Sequence, residues 1–451
     1  MKSLSTIAAE LQGYDASALP AGKVNEFLAA LVNPVAQHDS VALMDALDRV
    51  LAVDVISPIS VPAHDNSAMD GFAFRGGDLK IDHASTFEII GTALAGKAWS
   101  GLVGAGQCVK IMTGAVMPAG LDTVVAQEMC SLQGDSITIA PGVLKTGDNR
   151  RFAGEDLLAG SIALSKGELL APAALGLLAS LNIPTVQVFR KIKVAYFSTG
   201  DEVLSLGDAP REGAIYDSNR YTVTALLKRW GYDVIDMGVV RDSPEALEAA
   251  FLQAASQADA IITSGGVSVG EADHTKAMMK KLGDVAFWKI AMRPGRPMAV
   301  GRISKANSAD SALGNCANRY EIDSDSDSNA CTLFGLPGNP VATMVTMLCF
   351  VRPALLRISG ANVQKYCKQP LYLQAASQES LRKKPGRTEY QRGLVSRADD
   401  GSLQVRVTSS NQGSGVLSSM VAANGLIVLH HDQGNVEVGE RVDVMMFEGV
   451  M

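Results

Sequence analysis

Positive charge is in short supply in this chain. Lys and Arg number 40 against 47 Asp and Glu, for a net charge of −7 over 451 residues. The basic footprint of a nucleic-acid binder is missing, so an anionic substrate would have to be met by local cations set against the overall field. Cysteine is sparse as well. The six (Cys108, Cys130, Cys316, Cys331, Cys349 and Cys367) show no C-x-x-C spacing, which suits a reducing compartment and argues against a disulfide framework. The six histidines do not cluster as metal ligands, and His430-His431 reads as a structural pair at a strand end. The longest apolar run, 341–351, contains Thr343 and Thr346 and is too short to span a bilayer. Residues 1–10 lack the apolar core of a signal peptide. These absences point to a cytoplasmic protein with neither nucleic acid nor membrane as partner. What the chain does have is 43 glycines and 47% hydrophobic residues, with only 5% aromatic. That composition suits a glycine-punctuated enzyme with ample core, and the length suits roughly two to four domains.

Hydrophobic patterning divides the chain. Residues 24–53 read as helical, on apolar positions Phe27, Leu28, Leu31, Val41, Leu43, Met44, Leu47 and Leu51. Short β-type runs separated by Gly, Pro and Asp follow to about residue 139, and a helix is expected near 172–181. From 190 to 360 strands and helices alternate, with strands at 193–198, 233–240, 259–263 and 332–335 and helices at 218–230, 243–256, 272–282 and 339–358. Ser243-Pro244 and Asn339-Pro340 each place an N-cap residue before proline. The expectation is a multidomain α/β plus β protein. Residues 1–57 with 153–188 would form a discontinuous mixed linker domain, 58–152 an inserted β domain, 189–360 a doubly wound α/β domain, and 361–451 a small C-terminal β-barrel. Residues 304–330 are rich in Ser, Asn and Asp and read as a solvated loop. Their Asp-x-Asp-x-Asp start lacks the Gly and Glu of a calcium loop.

In a doubly wound sheet, ligands gather at the carboxyl ends of strands. The motifs of interest fall there. Ser264-Gly-Gly-Val-Ser-Val-Gly270 joins a buried strand to a helix, a recipe for holding an anion through close backbone approach and the helix N-terminus. Glu271 and Asp273 beside it suggest cation or proton handling as well. Asp201 and Glu202 follow a strand beside Gly200, where carboxylates are costly unless exposed or paired. Met292-Arg-Pro-Gly-Arg-Pro-Met298 sets Arg293 and Arg296 across a Pro-Gly turn, suited to an oxyanion, with ordinary surface arginines as the competing reading. Gly335-Leu-Pro-Gly-Asn-Pro340 is a further strand-to-helix loop. Earlier in the chain, Asp70-Gly71 reads as a ligand edge or an Asx turn. Thr113-Gly114 reads as an anion contact or a plain hairpin. Arg150-Arg151 with Glu155-Asp156 reads as a salt-laced turn or a reach toward another subunit's site.

Together these residues resemble the molybdopterin molybdenumtransferase family, whose animal relative is the gephyrin E domain. The resemblance runs in order through Asn66-Ser-Ala-Met-Asp-Gly71, Ile111-Met-Thr-Gly114, Gly154-Glu-Asp156, Ser198-Thr-Gly-Asp-Glu202 and Tyr216-Asp-Ser-Asn219. It continues through 264–270 with Asp273, Arg293-Pro-Gly-Arg-Pro297, Leu336-Pro-Gly-Asn-Pro340, Asn411-Gln-Gly-Ser414 and Ala423-Asn-Gly-Leu-Ile427. It implies binding of adenylylated molybdopterin and molybdate, insertion of molybdenum at the dithiolene sulfurs, and Mg²⁺-assisted hydrolysis with release of AMP. It also implies a homodimer whose site lies between subunits, with molybdopterin adenylyltransferase and apo-molybdoenzymes as partners. Carried over by motif, Glu202, Asp242, Asp273, Asp70 and Asp156 are the expected catalytic carboxylates, with Asp242 and Asp273 placing the cation. Thr113, Arg151, Thr199, Gly200, Asp201, Ser218, Ser264, Gly265, Gly266, Ser268, Gly270, Pro337, Gly338, Asn339 and Pro340 are expected to bind the substrate. Arg293, Arg296, Arg387, Arg392 and Ser414 are expected to take molybdate.

The chain departs from the family pattern in four places. Arg293 and Arg296 stand where lysines are often found, Ala342 where a hydroxyl is common, and Arg150 where an aliphatic residue is usual, and 304–330 is an insertion without a counterpart in compact members. Arginine keeps the charge but prefers forked contacts. Alternative readings are a catalytically silent molybdopterin-binding scaffold or carrier, a sugar-phosphate or nucleotide enzyme on the same α/β rim, and a tungsten-inserting variant.

Overall fold

The computed structural model describes residues 2–267, 274–305, 330–367 and 370–451. Two compact units emerge, one formed by Met1–Asp39, Asp48–Ala52 and Gln187–Met451 and the other by Ser40–Leu47 and Val53–Val186.

The first unit is built on strands β1 (Lys193–Thr199), β2 (Asp233–Val240), β3 (Ala260–Ser264), β4 (Gly283–Arg293), β5 (Pro297–Ser304) and β6 (Ala330–Leu336). Their order is β2-β1-β3-β6-β5-β4. The first four run parallel, and β5 and β4 continue antiparallel as a hairpin. Helices α1 (Leu4–Glu10), α2 (Ala21–Leu31), α3 (Ser218–Arg229), α4 (Pro244–Gln257), α5 (His274–Leu282) and α6 (Pro340–Ile358) accompany it. Side chains alternate between faces along a strand, and β1 shows the result. Val194 and Tyr196 join the core containing Phe27, Val223 and Leu348, from α2, α3 and α6. Ala195 and Phe197 join the core containing Phe251 and Met279, from α4 and α5. Helices thus cover both faces, as expected of a doubly wound sheet. The chain leaves β1 toward β2 and then returns to β3 on the other side, so the switch point lies between β1 and β3.

Sequence periodicity overran the α2 helix. The expected 24–53 helix ends at Leu31, where Val32 turns extended (φ −98°, ψ 140°). Asn33-Pro34 follows, and proline restricts the residue before it and removes a donor. His38–Ala42 is a strand. Met44 is 88% exposed, so the apolar spacing that mimicked a helix there does not mark a buried face. Capping follows expectation at Ser243, which accepts from the Ala246 N–H, but not at Asn339, whose side chain makes no cap bond. Helix α6 has the length and apolarity of a membrane span, yet 83% of its apolar window is buried inside the protein. It serves as a core helix, with a π-helical stretch at Met347–Val351.

A closed barrel follows, of β7 (Leu373–Ser377), β8 (Thr388–Arg397), β9 (Leu403–Val407), β10 (Gly425–Leu429) and β11 (Arg441–Met446). Pairing runs β7-β9-β8-β10-β11 and back to β7. At His430 the ring Nε2 lies 2.5 Å from Asp443 Oδ2.

In the second unit a six-stranded sheet is ordered Thr123–Ala126, Gly71–Phe74, Gln107–Ile111, Ser85–Ala93, Ser136–Ile139, Ser131–Gln133. Gly71 is required where two of these strands meet, because a Cβ there would lie 1.8 Å from the Val125 carbonyl oxygen. The helix expected near 172–181 is Pro172–Ser180.

Two stability tests follow. Phe27 is fully buried, edge-on to Trp288 at 4.9 Å. Phe27→Ala should cost about 3–5 kcal/mol in denaturant unfolding. At the foot of β3, Arg190 grips Asp259 with two bonds of 2.7 Å, and the Lys193 N–H adds a third at 2.9 Å. Desolvation pushes the Asp259 carboxyl up, but these donors outweigh it and hold it below its ordinary value. A depressed folded pKa means that its stabilisation is present above the unfolded pKa and is lost as pH falls from about 4 downward. Asp259→Asn should lower stability at neutral pH by about 1.5–3 kcal/mol and flatten the acid-unfolding profile below pH 4.

Candidate functional site

Parallel strands place their carboxyl ends on one edge, and the loops after them converge there. β1 leads into Thr199-Gly-Asp-Glu202, β2 into Arg241-Asp242, β3 into Gly265-Gly266 and β6 into Pro337-Gly-Asn-Pro340. Because β4 is antiparallel to β5 and β5 to β6, β4 also ends at this edge. That delivers the Pro294–Arg296 turn to the same rim. A cavity of about 630 Å³ opens between the β1, β3, β4 and β6 exits and the 412–414 loop that precedes β10.

Backbone proximity shapes the cavity. Gly265 has φ +92°, and a Cβ on it would stand 2.4 Å from the Thr199 carbonyl oxygen. Its N–H donates to the Leu336 carbonyl at 3.2 Å, tying the β3 and β6 exits together. Gly266, at φ +62°, would drive a Cβ into the Thr275 side chain. Gly338 closes the floor, 3.8 Å from the Gly265 Cα as measured from its own would-be Cβ. From below, Asn219 Nδ2 donates to the Gly338 carbonyl at 2.7 Å.

Charge is distributed unevenly around the cavity. Arg293 and Arg296 both line it, as the Pro-Gly turn suggested, and Glu202 lines it from the β1 loop. Arg387 and Ser414 line it too, but Arg387 is engaged with Glu389 at 2.7 Å. Arg392 is not on the wall. It is fully buried behind it, donating to Ser419 Oγ at 2.9 Å and to the Gly413 carbonyl at 3.0 Å, with one terminal nitrogen lacking any partner. Burial, and then the neighbouring Arg293 charge, pull its pKa down to about 10, so it remains a cation at neutral pH. The sequence reading grouped Arg387 and Arg392 with the oxyanion turn. The fold brings them close, but gives Arg392 the task of holding the 412–414 loop.

Of the remaining expected residues, Pro337, Gly338, Asn339, Gly265 and Gly266 line the cavity, while Thr199 sits buried beneath Gly265. Ser264 is buried in a ring of hydroxyls with Tyr196 (2.7 Å) and Ser198 (3.3 Å). Gly200 adjoins Glu202, and Ser218 and Pro340 open α3 and α6. The Asp242 N–H donates to Asp201 Oδ1 at 3.3 Å, and the Thr275 hydroxyl approaches Asp242 Oδ1 at 3.5 Å. Ser268, Gly270 and Asp273 lie outside the described residues, as do 306–329. Among the described residues no three ligand-type side chains converge on one point. Asp242, expected with Asp273 to place a cation, is a hard oxygen donor of the kind Mg²⁺ takes, and Mg²⁺ needs only one or two such carboxylates besides water and substrate phosphates.

The second unit gathers its own expected residues. The Thr113 N–H and hydroxyl both donate to Asp70 Oδ1, at 2.7 and 2.9 Å. Both Thr113 donors are thus engaged with Asp70 within this unit. These two bonds, N–H first, hold the Asp70 carboxyl below its ordinary value. Nearby in sequence, Arg150 pairs with Asp65, Arg151 lies 3.7 Å from Glu155, and Asp156 is exposed.

Sequence reasoning missed Met292, Gly295 and Gln412 in the cavity wall and Tyr196 beneath it. Gly295 has φ +97° and packs toward Thr346 of α6. Its place between two prolines and two arginines was a readable signal. Gln412 binds the Arg392 N–H, a long-range pairing no local pattern reveals.

Comparison with known proteins covers most of the chain. The MoeA N-terminal region (domain I and II) matches residues 21–182. A probable molybdopterin binding domain matches 195–357, and the MoeA C-terminal region (domain IV) matches 374–447. A molybdopterin molybdenumtransferase of Haemophilus influenzae is 39% identical over 92% of this chain and 95% of its own. A gephyrin of Dictyostelium discoideum is 30% identical over 90% of this chain and 59% of its own. The crystal structure of a molybdopterin biosynthesis moeA protein from Pyrococcus horikoshii superposes with a TM-score of 0.75 at 25% identity, covering 95% of this chain and all of that one.

The glycine geometry is testable. Gly265→Ala must place a methyl group against the Thr199 carbonyl at a positive φ, and should cost about 1–3 kcal/mol. Thermal melting and near-UV circular dichroism would report it. An unchanged melt would mean that the β1–β3 contact is looser than described.

Proposed function

The chain belongs to the molybdopterin molybdenumtransferase family, and we propose that it inserts molybdenum from molybdate into adenylylated molybdopterin, with hydrolysis of the pyrophosphate link and release of AMP. The observation that carries this reading is the cavity at the strand ends. It gathers two arginines, Arg293 and Arg296, a carboxylate, Glu202, and the glycine loops around one cavity. A tetrahedral oxyanion suits the guanidinium forks, and phosphates suit close backbone approach.

In the proposed sequence, Arg293 and Arg296 with Arg387 and Ser414 hold molybdate, and Arg392 fixes the loop that carries Ser414. The 264–270 and 337–340 loops hold the pterin and phosphate side. Glu202 orients water and accepts a proton as water attacks the adenylyl phosphorus. The bond from that phosphorus to the bridging oxygen breaks, giving AMP and molybdopterin phosphate. Asp242 and Asp273 would hold Mg²⁺, which supplies charge neutralisation at the pyrophosphate when bound. Catalysis rests on charge stabilisation and positioning rather than a covalent enzyme intermediate. The reading includes a cytoplasmic homodimer, with Asp70, Thr113, Arg151 and Asp156 serving the site of a second copy. It also includes supply of the substrate by a molybdopterin adenylyltransferase and delivery to apo-molybdoenzymes.

AMP release from adenylylated molybdopterin, followed by chromatography with and without molybdate and Mg²⁺, tests it. Release that depends on both, with activation of an apo-molybdoenzyme, is expected. Tight binding without hydrolysis would make the chain a carrier instead. Glu202→Ala should lower AMP release at least 100-fold while leaving the melting temperature within a degree or two. Retained activity would remove Glu202 from the mechanism.

A further inference from the structure

A second cavity, of about 310 Å³, lies apart from the strand ends and shares no lining residue with the first. It opens between the start of α2 (Ala21, Gly22 and Asn25), the π-helical stretch of α6 (Cys349 and Phe350) and the barrel. The reaction proposed above makes no use of it. Its volume falls at the small end of the roughly 300–1,000 Å³ typical of small-molecule pockets. π-Helical turns inside α-helices concentrate at functional sites, and the carbonyl of Cys349 in this one accepts from Asn25 Nδ2 at 3.2 Å. The barrel side of the cavity includes the 430–433 turn, which is held in shape. The Lys383 ammonium donates to the carbonyls of His431 and Gln433, and the His430 N–H donates to Gln433 Oε1 at 2.9 Å.

The lining has a definite chemistry. Three rings, Phe350, Tyr372 and Tyr390, contribute to the wall, and Asp432 adds an exposed carboxylate. No lysine or arginine is among the lining residues. Two lining side chains each keep a polar atom without a partner, Asn25 Oδ1 and His431 Nδ1. An amide oxygen can only accept, so Asn25 calls for an N–H donor. Aromatic rings and a carboxylate favour a donor that is also a cation. A bare amine would meet one opposing charge, because α2 begins at this wall, after Pro20 and without a side-chain cap. The first N–H groups of a helix have no intrahelical partner and carry partial positive charge, so an acceptor is wanted there. A zwitterion, with ammonium and carboxylate a few bonds apart, meets both demands.

We infer that this cavity is a second ligand site and that it takes a free amino acid with an uncharged side chain. The carboxylate meets the start of α2, the ammonium meets Asn25 Oδ1 and Asp432, and the side chain packs among Phe350, Val428 and Met445. The inference is independent of the reaction assigned to the strand-end cavity.

Isothermal titration calorimetry of the whole chain with each uncharged proteinogenic amino acid tests it. Saturable binding of at least one is expected, and binding of none overturns the proposal. The amide of that amino acid lacks the carboxylate, and its N-acetyl form lacks the ammonium. Each should bind about ten-fold more weakly or worse, and equal binding by either overturns the proposal. Saturating molybdate should leave the affinity unchanged. Displacement by molybdate would place the ligand in the strand-end cavity and overturn the proposal. Asn25→Leu should weaken binding about ten-fold with an unchanged melting temperature, and full affinity in the folded variant overturns the proposal. If that variant unfolds, Asp432→Asn on the exposed turn decides. Weaker binding is expected there, and unchanged affinity overturns the proposal.

Discussion

The arrangement at the strand ends depends on one close backbone approach. Gly265 passes the Thr199 carbonyl at a distance that leaves no room for a Cβ, and its N–H is bonded to the end of β6. Three parallel strands are pinned at their exits by this contact. The loops that follow them therefore start from fixed points, and their conformations are set by neighbours rather than by their own sequence preferences. A side chain at Gly265 would push the β1 and β3 exits apart and open the floor on which Gly338 rests. Rigid loops at a strand edge hold reacting groups at a fixed geometry, which is what positioning contributes to catalysis.

On that floor the charges are not balanced locally. Arg387 is answered by Glu389, but Arg392 is buried with an unpartnered nitrogen and is depressed further by Arg293. Among the described residues the arginine side of the cavity is short of negative charge, and a counter-charge placed there would relieve the repulsion.

The sequence made much of this legible, for reasons that can be traced. Buried parallel strands bounded by glycine turns, such as 260–264 followed by Gly265-Gly266, carry a strong local signal, and so does a Pro-Gly turn between two arginines. The failures came where tertiary structure decides. The apolar spacing through Met44 and Leu47 suggested a helix, but the chain is broken at Asn33-Pro34 and those side chains are exposed. Nor does sequence show that the Thr113 hydroxyl and N–H both bond to Asp70, 43 residues away. Arg392 reads as one more cation in a β-type run, and only the packed barrel shows that it is buried and occupied with Gln412, Gly413 and Ser419.

The departures from the family pattern act on the same balance. At Ala342 the wall of the cavity offers no hydroxyl, and the Arg-Pro-Gly-Arg turn packs toward that point, with the would-be Cβ of Gly295 3.5 Å from the Ala342 carbonyl oxygen. A serine or threonine there would give an oxyanion a neutral, directional donor. Two guanidiniums give it charge and forked donors instead, with longer side chains and a broader reach. Binding that leans on charge is weakened by salt where the partners remain exposed to solvent, and resists it where burial excludes counter-ions. Arg392, buried behind the wall and unable to retreat, contributes its field without being solvated. The wall arginines thus keep the charge that lysines would supply, and Arg392 adds to it from behind the wall, out of water.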